Sequence, residues 1–313
     1  MMDPGLVALI GVDWGTSSLR VSAMDAHGAL LAEEKSARGI LTIEPDGFGV
    51  VLDSVLSGWS VAPTVPVVLS GMITSRNGWQ ETPYLEAPCE LLALASSMLT
   101  HTDGSGRSLY FVPGVQQLES GTADVMRGEE TELFGWLARQ RATNAQSLSG
   151  AEKRTFLLPG THSKWVQTEG TAIQSFVTCM TGELFALLSE HSILSRLMTS
   201  DRPANPAAFT QGAKQGLAEP AKLLSKLFSV RAMPLLGALP TDDVQDYLAG
   251  LLIGAEVATQ AATQERPIVV IGRGDLTERY VSVLALAGQS AERAEPGAAY
   301  AGQFELACRA DLL

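Results

Sequence analysis

Residues 6–36 read LVALIGVDWGTSSLRVSAMDAHGALLAEEKS, and their reading decides the fold. The apolar run from Leu6 to Val12 stops at Asp13 and Gly15, which predicts a buried strand entering a tight turn. The runs SLRVSAMDA and ALLAEEKSA flank Asp25-Ala26-His27-Gly28, the pattern of a β-hairpin with His27 in its turn. Three strands therefore open the chain with no helix between them.

Working outward, a helix is expected near Phe48–Leu56, and a strand over Val65–Leu69 ends in Ser70-Gly71-Met72. A polar loop follows from Ile73 to Pro83, then a helix over Glu90–Leu99 and a strand in LYFVPGV. Asp124 reads as the residue before a helix through Gly128–Arg139. The stretch 140–153 is polar and weakly patterned, so the junction between two lobes is placed there. Beyond it the grammar repeats: TFLLPG is a strand entering a glycine turn, and KWVQTEGTAIQSFVT is a hairpin around Glu169-Gly170. Helices then dominate. Asn205-Pro206 is a cap followed by a first-turn proline, and Tyr247, Leu248, Leu251, Leu252 and Ala255 keep a 3.6-residue period. PIVVIG is a buried strand ending at Arg273-Gly274-Asp275, and helices are expected over Tyr280–Ala287 and from Pro296 onward.

The 313 residues exceed one typical domain, and an apolar fraction of 46% allows sizeable cores. The formal net charge of −12 disfavours nucleic-acid binding, although a small anion needs only a few local cations and backbone N–H groups. No apolar run approaches the roughly 18 residues that cross a bilayer, and the N-terminus lacks a secretory pattern. Cys89, Cys179 and Cys308 are widely spaced and odd in number, so packed, reduced thiols and a cytoplasmic location are expected.

Three strand-to-glycine turns can carry chemistry: Asp13 to Ser18, Pro159 to Lys164, and Gly272 to Asp275. A glycine turn lets backbone N–H groups approach a phosphate closely, whereas many such turns are merely structural. There is no Walker or dinucleotide glycine pattern after a strand. Asp13, ending a buried strand, either caps its turn or is an outer ligand of Mg²⁺ on nucleotide phosphates. Asp124 either caps a helix or accepts the proton of a substrate hydroxyl that attacks a γ-phosphoryl group. The loop Ser70 to Trp79 is dense in hydrogen-bonding groups, and Arg76 or Arg127 suits a substrate carboxylate. Lys164 and His162 can meet phosphate or serve only the surface and the turn. Trp14 and Trp165 read as packing residues.

At IGVDWGTSSLR, LSGMITSRNGWQETPYLEAPC, FVPGV, DVMRGEETELFG, LLPGTHSKWV, IQSFVTCMTGELFALLSEHSIL and LFSVRAMPLLGALPTDDVQDYLAGLLIGAE, the sequence resembles the 2-dehydro-3-deoxygalactonokinase family. That family lies within the sugar kinase, actin and heat-shock ATPase superfamily. The resemblance implies an α/β fold of two actin-like (ribonuclease H-like) lobes with mixed sheets and an ATP cleft between them. The lobes would be residues 1–138 and 139–294, with a C-terminal helix of 295–313 packing back on the first. It implies ATP and Mg²⁺, with Asp13 on the metal through water. Phosphate would be bound by Gly15, Thr16, Ser17 and Ser18, and by Gly160, Thr161, His162, Ser163 and Lys164. Adenosine would lie at Gly272 and Gly274, where the charged Arg273 and Asp275 depart from the usual small-residue turn. The sugar acid would lie on Ser70, Gly71, Met72, Arg76, Asn77 and Arg127, with Asp124 as general base. The implied reaction is phosphorylation of the 6-hydroxyl of 2-dehydro-3-deoxy-D-galactonate in galactonate breakdown, and a homodimer is compatible with it. The gluconate-derived epimer is an alternative substrate. A non-catalytic sugar or nucleotide sensor would carry a fused DNA-binding module, and a chaperone-type ATPase would need a peptide-binding domain.

Overall fold

The computed structural model describes residues 3–119, 121–143, 152–198, 203–261, 267–272 and 274–313. The chain divides into two compact units. Unit 1 is Met1–Lys153, Gln167–Phe176 and Glu295–Leu313, and unit 2 is Arg154–Val166 and Val177–Ala294. Of the 140–153 stretch expected to hold the junction, residues 144–151 lie outside the described ones.

In unit 1 the expected opening strands are β1 (Leu9–Trp14), β2 (Leu19–Met24) and β3 (Leu30–Ser36), followed by α1 (Phe48–Gly58) and β4 (Val67–Ser70). Next come β5 (Tyr84–Glu86), β6 (Cys89–Glu90), α2 (Leu91–Ser96), β7 (Leu99–Thr102) and β8 (Ser108–Phe111). The helix expected over Glu90–Leu99 is thus shorter, with strands at both of its ends. β9 (Gly114–Glu119), β10 (Thr122–Met126) and α3 (Glu129–Thr143) complete this part of the chain.

The main sheet has the order β3-β2-β1-β4-β8-β7, and β5, β9 and β10 form a small second sheet. β1 runs antiparallel to β2 and parallel to β4, so Asp13 sits between Arg20 on one neighbour and Ser70 on the other. Side chains alternate across a sheet. Ile10, Val12 and Trp14 therefore face the core shared with Phe48, Leu52, Val55 and Leu56 of α1. Gly11 faces the other side, where an added Cβ would strike Gln303. Asp13 shares the Gly11 face. That side is covered by α9 (Ala298–Arg309), which packs on α3, α2, β1 and β4.

β11 (Lys153–Leu158) opens unit 2, β12 (Ser163–Glu169) begins and β13 (Ala172–Cys179) ends in it, and α4 (Thr181–His191), α5 (Pro206–Ala218) and α6 (Leu223–Leu235) follow within it. It continues through α7 (Val244–Gln260), β14 (Ile268–Val270), α8 (Gly274–Leu286) and β15 (Ala291–Arg293). The strand order β15-β14-β11-β12-β13 matches β8-β4-β1-β2-β3 of unit 1, so the repeated grammar of the sequence is a repeated topology. The parallel partners occupy the same places: β11 with β14, and β14 with β15. α5 opens as expected, with Asn205 Oδ1 accepting from the Ala207 N–H and Pro206 in the first turn. α7 is buried along most of its length and joins two apolar clusters, one with α8 and the strands and one with α6 and Leu194. The three cysteines are free thiols.

The α3–α9 crossing is close enough to exclude a side chain. A Cβ on Gly302 would lie 1.9 Å from the Thr131 carbonyl oxygen, and one on Gly135 would lie 1.9 Å from that of Ala298. Gly302→Ala must therefore push the helices apart, with an expected loss of about 1–3 kcal/mol. Tryptophan fluorescence during urea unfolding checks this, because Trp14, Trp59, Trp79 and Trp136 all report on unit 1. An unchanged midpoint would refute the tight crossing.

Candidate active site

The turn after β1 is held open by its neighbours. The Gly15 N–H donates to the Ser18 carbonyl at 2.9 Å, and the Gly15 and Thr16 carbonyls accept from the N–H groups of Ile40 and Leu41. The chain at residue 39 approaches so closely that a Cβ there would lie 2.2 Å from the Thr16 oxygen. Trp14 packs as expected: its ring meets Phe48 edge-on and its indole N–H donates to the Arg38 carbonyl at 2.7 Å. Thr16, Ser17 and Ser18 remain exposed. This is a backbone loop braced from behind with its outer side open, the form an anion cradle takes.

Asp13, at the base of that loop, meets the Arg20 guanidinium at 3.5 Å, and Arg20 also reaches Glu33 at 3.6 Å. Burial pushes the Asp13 carboxyl up, Arg20 opposes that shift, and Glu33 adds to it. The first turn of α3 brings further carboxylates. Glu130 is buried and accepts the Gly128 N–H, while Glu129 accepts the Arg127 N–H. Burial, with Glu129 nearby, lifts Glu130 to about 7. Burial and the Asp13 charge lift Glu132 to about 8. These glutamates were legible in the sequence only as a charged helical turn. What sets them apart is that α3 brings them to the Asp13 face of the sheet.

Asp124 is not at the head of that helix. It lies half-buried in the middle of β10, opposite Gln117 of β9, with Oδ1 accepting the Val125 N–H at 2.8 Å. The alternating run Thr122–Met126 continues as a strand, and Gly128, at φ 110°, turns the chain before α3 begins at Glu129. The helix-cap reading of Asp124 is corrected accordingly.

The 70–82 loop divides into a buried base and an exposed tip. Ser70 is buried and accepts from Gln303 Nε2 at 2.9 Å. Gly71 has φ 89°, and a Cβ there would press on the Trp14 carbonyl, so this turn requires glycine. Met72 packs on the core, and Trp79 stacks on Phe48. Arg76 and Asn77 are exposed at the tip. Arg127, expected as an alternative carboxylate ligand, is buried as a brace. Its Nη1 donates to the Thr74 carbonyl and hydroxyl at 2.6 Å, its Nη2 donates to the Thr82 carbonyl at 3.0 Å, and its guanidinium lies over the Tyr84 ring. Both ends of the loop hang on one cation.

In unit 2 the turn after β11 is strapped to α4. The Glu183 N–H donates to the Thr161 carbonyl at 2.9 Å, and a Cβ on Gly182 would lie 2.4 Å from the Gly160 oxygen. Thr161 and His162 are exposed, and His162 is paired with Glu183. Ser163 and Lys164 already belong to β12 and are buried, so their side chains do not line the turn's outer rim. Lys164 Nζ donates to the Thr178 hydroxyl at 2.7 Å, while Ser163 turns to the opposite face. Trp165 is buried, as expected. Gly272 is exposed, and Gly274 and Asp275 begin α8 rather than forming a separate turn; Arg273 lies outside the described residues. Gly160, Gly182, Phe185, Leu252, Asp275 and Arg279 are among the residues lining a pocket of about 230 Å³ in this unit.

Among the described residues no cluster of three or more metal-binding side chains exists. Mg²⁺ characteristically takes one or two carboxylates and fills its remaining positions with water and phosphate. The donor set of Asp13 with the neighbouring α3 carboxyls fits that habit. Among the described residues no helix is long and apolar enough to cross a membrane.

Two units with one strand order, each placing a glycine turn after its first strand, define an actin-like α/β protein of the sugar-kinase class. The family model of 2-keto-3-deoxy-galactonokinase matches residues 13–306. The chain is 35% identical to DgoK1 of Rhizobium meliloti (strain 1021), assigned as a 2-dehydro-3-deoxygalactonokinase, covering 96% of each chain. It is 36% identical to the 2-dehydro-3-deoxygalactonokinase of Escherichia coli (strain K12), covering 91% of this chain and 94% of that one. A crystal structure of a Sinorhizobium meliloti protein assigned to the same activity superposes with a TM-score of 0.84 at 35% identity, covering 96% of this chain and 98% of that one. The chain belongs to the 2-keto-3-deoxy-galactonokinase family, and it is an enzyme of the sugar-acid kinase type.

The raised carboxyls make stability depend on pH. Glu130 and Glu132 hold protons more tightly when folded than at the ordinary glutamate value of 4.5. Their contribution is complete below pH 4.5 and is lost as the pH climbs through about 7 and about 8. Urea unfolding of the nucleotide-free protein should therefore show lower stability at pH 8.5 than at pH 5, with Glu132→Gln reducing the difference. Equal slopes in the two proteins would rule out a raised Glu132.

Proposed function

We propose that the protein transfers the γ-phosphoryl group of ATP to the 6-hydroxyl of 2-dehydro-3-deoxy-D-galactonate, in the cytoplasm, as a step of galactonate breakdown. The observation that carries this reading is the Asp13 to Ser18 turn, an open backbone loop set beside a carboxylate. The matching turn at Gly160 to His162 supports it, as do the names of the relatives. The loop around Gly15 to Ser18 and the turn at Gly160, Thr161 and His162 cradle phosphate through backbone N–H groups. Buried Ser163 and Lys164 hold the second turn in place from within. The nucleoside lies in the unit 2 pocket beside Gly272 and Gly274, between the apolar wall of Phe185 and Leu252 and the polar head of α8. Asp13 would hold Mg²⁺ through water, and the cation would neutralise charge on the phosphates.

On the sugar-acid side, the exposed Arg76 pairs with the substrate carboxylate and Asn77 with a hydroxyl. Ser70, Gly71 and Met72 shape the base of the loop. Arg127 acts through the loop: by holding Thr74 and Thr82 it sets where Arg76 and Asn77 stand. In the reaction the 6-hydroxyl oxygen attacks the γ-phosphorus, the bond from phosphorus to the bridging oxygen of ADP breaks, and the hydroxyl proton passes to a carboxylate. Asp124 is our first assignment for that acceptor. A second reading gives the role to Glu132, favoured by its proton affinity near neutral pH and its place beside Asp13.

An ADP-release assay across 2-keto-3-deoxy sugar acids and plain sugars tests the reaction. The galactonate-derived acid should give the highest kcat/KM. A preference for the gluconate epimer would reassign the substrate, and no turnover with any of them would favour a sensor. Asp124→Asn should lower kcat by at least about a hundredfold with ATP affinity retained; near-full activity in that variant, with loss in Glu132→Gln, would move the base to Glu132. Arg76→Ala should raise KM for the sugar acid about tenfold and leave that for ATP unchanged. A loss confined to ATP would reverse the Arg76 assignment.

A further inference from the structure

Unit 2 buries a carboxylate that nothing above uses. Glu256, in the C-terminal half of α7, is only 6% exposed. The Trp165 indole N–H donates to its Oε1 at 2.8 Å, and the Tyr280 hydroxyl donates to its Oε2 at 2.6 Å. The Ser163 hydroxyl stands 2.8 Å from the Tyr280 oxygen. Thr181 and Ser163 also hydrogen-bond to Glu256. Burial raises the carboxyl's proton affinity, and these four bonds counter the shift.

The partners come from three segments that meet α7 beside the Gly160 turn. Ser163 and Trp165 open β12 directly after the Gly160 turn. Thr181 begins α4, whose next residue, Gly182, packs on the backbone of Gly160 and Thr161. Tyr280 lies on α8, which starts at Gly274. Thr181, Tyr280 and Gly160 all line the same pocket. One side chain thus joins the strand behind the phosphate turn, the head of α4, α7 itself and α8.

A carboxylate is a costly way to fill such a place, since apolar residues of similar volume often stabilise a core as well or better. What a carboxyl group adds is two oxygens that can accept from several donors at once. Indole N–H can only donate, the Tyr280 hydroxyl donates to Oε2, and the Thr181 and Ser163 hydroxyls bond to the same carboxyl, so one side chain gathers four groups. A fully satisfied buried network of this kind rigidifies its surroundings.

We propose that Glu256 is a positioning residue for the nucleotide: by gathering the Ser163, Thr181 and Tyr280 hydroxyls and gripping Trp165, it fixes the Gly160 to Lys164 backbone against α4 and α8 in its phosphate-binding shape. This rests on the reading of that turn as a phosphate cradle. Glu256 touches no substrate and acts through Ser163, Trp165 and Thr181.

Calorimetric titration of Mg²⁺-ATP into wild type, Glu256→Leu, Glu256→Gln and Tyr280→Phe tests the proposal, with KM for the preferred sugar acid measured in parallel. Glu256→Leu should weaken ATP binding by about tenfold or more, and Tyr280→Phe, which removes a single hydroxyl, by about three- to tenfold. Glu256→Gln, which keeps an acceptor for Trp165, should fall between wild type and Glu256→Leu. KM for the sugar acid should stay within about twofold, since the loss is one of nucleotide binding. The Trp165 indole N–H resonance, assigned by its absence in Trp165→Phe, should shift in Glu256→Leu and stay near its place in Glu256→Gln. If Glu256→Leu does not fold, Tyr280→Phe and Glu256→Gln decide. Wild-type protein that fails to bind ATP overturns the cradle reading and this proposal with it. Wild-type binding with undiminished affinity in the variants overturns the proposal alone, and so does an equal loss at both substrates.

Discussion

A half-buried carboxylate near the end of an otherwise buried strand is the constraint around which unit 1 is arranged. Val12 and Trp14, on either side of Asp13, are fully buried, so its charge can be tolerated only if something nearby compensates it. Arg20 does so in part, placed there by the antiparallel register, while the parallel neighbour contributes the small Ser70. The compensation is incomplete: burial still holds the Asp13 carboxyl above its ordinary value, and Asp13 in turn discourages ionisation of Glu132 on α3. A nucleotide-bound cation would relieve both effects, which is why an arrangement costly to the empty protein suits one that binds phosphate.

Unit 2 solves a related problem differently. Its turn after the first strand carries no acidic residue, since Gly160 occupies the region corresponding to Asp13 to Gly15. The turn is instead held by α4 on one side and by a buried hydrogen-bonded network beneath it. Glu256 has four hydrogen-bonding partners around it, whereas Asp13 leans on the Arg20 guanidinium. The common topology thus supports two different arrangements: one unit keeps a carboxyl paired with an arginine near its loop, while the other keeps a hydrogen-bonded one behind it.

Much of this was legible from local pattern. The Leu6–Val12 run, the hairpin at Asp25–Gly28, the Asn205-Pro206 cap and the α7 period are short-range signals, and local sterics or burial enforce each of them. Asp124 shows where such signals fail. An aspartate followed by a charged run resembles a helix start, yet pairing with β9 extended the strand through Met126, and the positive φ of Gly128 delayed the helix. Arg127 shows a second failure. Its side chain is long and cationic, as a ligand's would be, and only the arrival of Thr74 and Thr82 at its guanidinium makes it a brace.

By itself, the sequence determined the opening strands, the main helices, the duplication and two of the three glycine turns, because these follow from periodicity and backbone sterics within a few residues. It also carried the family, because matching motifs run in order along nearly the whole chain. Tertiary structure alone decided which polar side chains face outward and which are consumed within the protein. Ser70 is spent on Gln303, Ser163 on Tyr280 and Arg127 on Thr74, while Arg76 and Asn77 are left exposed. The physical reason is that a hydrogen-bonding group's role depends on which partner reaches it first. Those partners come from segments far away in the chain, where no local pattern can announce them.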